Sequence, residues 1–155
     1  MNKILRISMI AVLALIANFS FADTYTYNFE SKQFGKSGDT KDLGGITWSI
    51  KTDAGYFGFD GNNNKGQQFG SKKKPATELT LTTKDIPGKI SSIKVTTAGA
   101  AGIDATLDVT VGGKNFGKQY KVVFDLTTAT FTGSEEGDIV LSYSNSLLAQ
   151  FIFQA

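Results

Sequence analysis

The chain has no cysteine and no histidine among its 155 residues. Without cysteine there are no disulfides, so whatever fold forms is held by its apolar core. Without histidine there is no Ser-His-Asp or Cys-His nucleophile, no imidazole general base and no His-containing zinc or iron site. Carboxylate chemistry and Lys- or Tyr-based chemistry remain open. Arginine occurs once, at Arg6, and tryptophan once, at Trp48. Beyond the first residues, no stretch carries a sustained apolar period of 3.6, so long amphipathic helices are not expected.

The first 22 residues read as a secretory signal. Lys3 and Arg6 form a basic start, Ile10–Ala17 (IAVLALIA) an apolar run, and Ser20-Phe21-Ala22 a small-residue cleavage site. The run is too short for a stable membrane span, and no membrane span is expected after cleavage. Cleavage after Ala22 leaves residues 23–155 as one domain, long enough to bury a core. The expected destination is periplasmic or extracellular, by a bacterial Sec-type route. Loss of Lys3 and Arg6 also lowers the 16 basic residues to 14, balanced against 14 acidic ones. A neutral chain without arginine is a poor nucleic-acid binder.

Short runs of Thr, Val, Ile, Phe and Tyr with period-two alternation dominate the remainder, as strands with one dry face do. Three lie in the middle: Glu78–Thr83, Ile90–Ala98 and Ala105–Val111. Pro87-Gly88 suits a type II turn, because proline presets the first φ and glycine accepts a positive one. Gly112-Gly113 suits a tight hairpin turn. Further strands are expected at Thr24–Phe29, Gly45–Lys51, Tyr56–Phe59, Gln67–Phe69, Gly117–Phe124, Thr128–Phe131, Asp138–Tyr143 and Ala149–Phe153, with Glu30–Gly44 as a loop. The reading is all-β: one antiparallel β-sandwich, of jelly-roll type.

The succession GITW, KGQQFGS, ATELTLTT, IPGKISSIKV, AGAAGIDATLDVTVGG and GDIVLSYSNS resembles a recurrent module of secreted bacterial proteins. The likeness runs roughly from Gly45 to Phe153. It implies a jelly-roll sandwich related in shape to galactose-binding and other carbohydrate-binding domains, often appended to larger extracellular enzymes and surface proteins. Its marks are Gly, Thr and alternating hydrophobics, which specify a fold more than a site.

Trp48 alternates in phase with Ile46 and Ile50, so it is expected in the core and not as a sugar platform. Tyr56 and Phe57 are consecutive in a strand and must point to opposite faces. One of them is therefore expected to be exposed beside Asp60, Asn62, Asn63 and Asn64, whose amides and carboxylate suit sugar hydroxyls. With Lys65 at the rim, these seven residues are the candidate ligand contacts. The competing reading is a plain polar turn. Asp60-x-Asn62-x-Asn64 has a calcium-loop spacing, but Lys65 stands where such a loop needs glycine and Ser71 where it needs an acid. No cofactor is expected, although oxygen ligands leave a looser structural calcium site open. Lys72-Lys73-Lys74 reads as a solvated face or as a guard on a strand edge. Glu135-Glu136-Gly137-Asp138 reads as a hairpin connection, not as two carboxylates facing across a cleft.

The expected function is non-catalytic binding of a glycan or cell-surface polysaccharide. The alternative is a structural or adhesion protein that binds other protein subunits by strand addition, with Leu147–Phe153 as an available edge. A carboxylate-dependent hydrolase is a third reading, and it requires two acids in one pocket.

Overall fold

The computed structural model describes residues 14–18, 22–62, 66–71 and 73–145, and the side chains from residue 25 onward. Its strands are β1 (Ala14–Asn18), β2 (Ala22–Thr26), β3 (Thr40–Leu43), β4 (Ile46–Thr52), β5 (Phe57–Asp60), β6 (Gly66–Phe69) and β7 (Glu78–Thr83). They continue with β8 (Lys89–Thr97), β9 (Ala105–Val111), β10 (Lys114–Asn115), β11 (Tyr120–Lys121), β12 (Thr127–Glu136) and β13 (Ile139–Asn145). No helix occurs among the described residues, and every strand pair is antiparallel.

The chain is an all-β sandwich. One sheet has the order β12-β8-β1-β2. The larger one runs β10-β9-β13-β7-β4-β3, with β11 also on the β9 edge. A separate hairpin pairs β5 with β6. Alternation explains which faces meet. Leu79 and Leu81 of β7, Leu107 and Val109 of β9, and Leu141 and Tyr143 of β13 are buried, while the residues between them are partly exposed. Ile93 and Val95 of β8 and Phe131 of β12 join the same buried cluster from the smaller sheet. Trp48 is fully buried in it.

The three middle strands are not neighbours. β7 and β9 flank β13 in the larger sheet, and β8 lies in the smaller one. Residues 84–88 therefore carry the chain from one sheet to the other, with Gly88 at φ 82° beside Pro87. Gly112 and Gly113 turn β9 into β10 with φ of 58° and 81°.

Three sequence expectations are corrected here. Glu30–Gly44 is not all loop, because Thr40–Leu43 forms the edge strand β3. Gly117–Phe124 pairs only at Tyr120 and Lys121. Val123 and Phe124 are exposed instead, beyond the last bond to β9, from Val122 N–H to Ala105 O at 2.9 Å. Glu135–Asp138 is not a hairpin connection: Glu135 and Glu136 end β12, which pairs with β8, and Gly137-Asp138 cross to β13, which pairs with β7 and β9. Gly112 anchors that crossover, donating its N–H to Asp138 O at 3.0 Å. Ala14–Asn18, within the stretch that reads as a secretory signal, forms a strand between β8 and β2. The predicted strand Ala149–Phe153 lies outside the described residues.

Candidate functional site

The β5–β6 hairpin sits at one end of the β4–β7 pair. Residues 53–56 lead into it from β4, and Gly70 closes it by donating its N–H to Tyr56 O at 2.8 Å. Its register places Phe57 opposite Phe69 and Phe59 opposite Gln67. Phe57 packs edge-on against the fully buried Phe69, with ring centroids 5.5 Å apart. Phe57 is therefore a half-buried anchor and not a free contact surface.

The hairpin is tied to the rest of the fold by an amide. Gln67 is fully buried. Its Oε1 accepts N–H bonds from Gln33 at 2.7 Å and Phe34 at 2.9 Å, and its Nε2 donates to Phe34 O at 2.9 Å. One side chain thus satisfies three backbone groups of a loop with no strand partner, as burial of such groups requires.

The outward face belongs to Tyr56 and Gly58. Tyr56 is 43% exposed. Its ring lies directly over Gly58: a β-carbon there would fall 2.7 Å from Tyr56 Cε1 and Oη. The missing side chain leaves room for the hydroxyl end of the ring, which stays open to solvent elsewhere. Phe59, 36% exposed, leans in the same way on Gly61. At the tip, Asp60 Oδ1 accepts the Asn62 N–H at 3.1 Å, an Asx turn that holds the carboxylate in place. Asn63, Asn64 and Lys65 lie outside the described residues.

A second feature converges on this platform. Ser71 and Lys74 close a turn, with Ser71 N–H donating to Lys74 O at 2.8 Å and Lys74 N–H to Ser71 O at 3.1 Å. The stem of Lys74 lies alongside Gly55, next to Tyr56. Lys73 and Lys74 are exposed, so their charge is displayed at the rim of the aromatic surface; Lys72 lies outside the described residues. Sequence spacing alone did not bring the lysine run and the tyrosine together, because the β5–β6 hairpin separates them.

A carboxylate nearby is structural. Asp53 accepts from Thr77 N at 2.9 Å and Glu78 N at 3.0 Å, and from the Thr77 hydroxyl. Burial acts to raise its pKa, but the Thr77 and Glu78 hydrogen bonds outweigh it, and the carboxyl ends below its ordinary value. Burial, with a further contribution from the Asp53 charge, pushes the Tyr143 phenol far above its usual range.

At the opposite end of the β4–β7 pair lies a cleft of about 340 Å³. It is lined by Tyr25, Gly45, Ile46, Thr47, Lys84, Asp85, Ile86 and Pro87. Asp85 holds φ at 57°, the left-handed region that Asp enters more readily than most residues. No sequence signal marked this cleft, since its walls come from β2, β4 and the 84–88 crossing. Asp85 is its one acidic lining residue. Glu135 instead pairs with Lys114 at 3.0 Å on the surface. Among the described residues, no group of three or more acidic side chains could hold a metal ion.

No family model matches this chain, and neither the curated proteins nor the solved structures contain a match to it.

Proposed function

We propose that this protein is a secreted, non-catalytic module that binds a glycan or cell-surface polysaccharide on the outer face of the β5–β6 hairpin. The observation that carries the reading is the Tyr56 ring, packed against Gly58 and still open to solvent. The apolar face of a pyranose stacks on such a ring, and neighbouring polar groups set its orientation. Gln68, Asp60 and Asn62 provide polar groups beside it, and Lys73 and Lys74 add positive charge that favours an acidic polysaccharide. The resemblance of the sequence to a module related to carbohydrate-binding domains supports the same reading.

The test is a glycan and polysaccharide array probed with wild type, Tyr56→Ala and Asp85→Ala. Tyr56→Ala removes an exposed ring and is expected to leave the fold intact while abolishing binding. Loss with Asp85→Ala alone would move the site to the cleft. Binding to none of the glycans would refute the reading.

One observation favours a second reading, docking to a protein partner. Val123, Phe124 and Leu126 are 42%, 58% and 43% exposed on one loop. Clustered apolar exposure of this kind is typical of interaction surfaces.

A further inference from the structure

We propose that the cleft at the other end of the β4–β7 pair binds a free α-amino acid with an apolar side chain. The site is separate from the hairpin face and does not depend on the glycan reading. Its wall is set by the fold: Ile46 is buried, and Tyr25 and Ile86 pack against the core. At about 340 Å³ the cleft falls at the lower end of the range of small-molecule sites, which are mostly apolar with a few placed polar groups.

The charged groups converge on its lip. Lys84 and Asp85 are the charged residues that line it, and they follow directly on β7, which ends at Thr83. Continued extension would send two consecutive side chains to opposite faces. Asp85 instead holds φ at 57°, the one positive φ outside glycine among the described residues. That bend ends the alternation, and both residues line the same cleft. Backbone strain of this kind collects at ligand clamps. Both residues are exposed, and neither is in an ion pair among the described residues.

The chemistry of the lining selects the ligand. Opposite charges on neighbouring residues match opposite charges on neighbouring atoms, so Asp85 takes an ammonium and Lys84 a carboxylate. A ligand with one charge would set that charge against its like on the same lip. Ile46, Ile86 and the Tyr25 ring take the apolar side chain. A sugar ring matches this lining poorly. Its hydroxyls need partners around the whole ring, and the cleft has no amide side chain and one aliphatic hydroxyl, that of Thr47.

The experiment is titration calorimetry on the full chain with L-leucine, L-phenylalanine and two blocked probes, N-acetyl-L-phenylalanine and L-phenylalaninamide. At least one free amino acid is expected to bind, and each blocked probe to bind roughly tenfold more weakly than L-phenylalanine or worse, since each lacks one charge. Asp85→Asn keeps a residue that accepts the left-handed backbone and is expected to weaken binding by roughly tenfold or more, as is Lys84→Met. Urea midpoints read from Trp48 fluorescence separate a lost site from a lost fold, and the blocked probes test the wild type even where a variant fails to fold. Three results overturn the inference: no binding of either amino acid at ~10 mM, blocked probes that bind as tightly as free ones, or folded charge variants that bind like wild type. Tighter binding of glucose than of either amino acid also overturns it and makes the cleft a sugar site.

Discussion

Replacing Gln67 by leucine removes the amide that holds the 33–34 loop against the hairpin while nearly preserving volume. Two groups of the buried Phe34, its N–H and its C=O, lose their partner, as does the half-buried N–H of Gln33. An orphaned buried backbone group costs ~1–3 kcal/mol, and the apolar replacement returns ~1 kcal/mol through burial. Gln33 N–H reaches water and adds little. The expected net loss for Gln67→Leu is ~3 kcal/mol. At a urea m-value of ~2 kcal/mol/M this moves the unfolding midpoint by ~1.5 M. Trp48, the sole tryptophan and fully buried, reports the transition by fluorescence. Gln67→Glu sharpens the test. The new carboxylate keeps an acceptor for the two N–H groups but sets a second oxygen against Phe34 O, so its protonated form is favoured in the fold. Its folded pKa is raised above the unfolded value of ~4.3, so the variant is most stable below that pH and weakens as pH rises through the folded pKa. A Gln67→Leu loss under ~1 kcal/mol, or a Gln67→Glu variant no weaker at pH 7 than at pH 4, would refute the reasoning.

Two further outcomes are expected. Gly112→Ala places a β-carbon 2.2 Å from Glu136 O at φ 58°, whereas Gly113→Ala, at φ 81°, meets nothing within 4 Å. The second should cost only the left-handed penalty of ~1–2 kcal/mol and the first clearly more, and equal urea midpoints would contradict this. Asp53→Asn should lower stability at neutral pH by no more than ~1 kcal/mol, because the carboxylate faces solvent. Since its folded pKa is depressed, that difference is full above the unfolded value of ~3.9 and vanishes as pH falls through the folded one; a difference that grows on acidification would count against it.

The strands most legible from sequence were those with a clean wet and dry face. β7 and β9 span the residues that alternation marked, because one face of each meets the shared core. Connectivity was hidden. Glu136-Gly137-Asp138 has the local chemistry of a hairpin, and only the pairing of β12 with β8 makes it a crossover. Val123 and Phe124 satisfied the apolar pattern of a strand but are exposed, since pattern does not say whether a neighbouring strand is present. At the candidate site, the opposite facing of Tyr56 and Phe57 followed from strand geometry, and the structure has the first outward and the second against Phe69. The role of Gln67 and the approach of Lys74 depend on contacts across the chain that no spacing encodes.

The position of β13 has a consequence for the order of assembly. It lies between β7 and β9, so the larger sheet stays split until Ile139–Asn145 is present. Synthesis at ~5–20 residues per second reaches that strand only after several seconds. Until then Leu79, Leu81, Leu107 and Val109 have no central strand to close over them. The nascent chain therefore remains unfolded and adhesive for most of its synthesis, and chaperone dependence should fall sharply once β13 emerges from the ribosome.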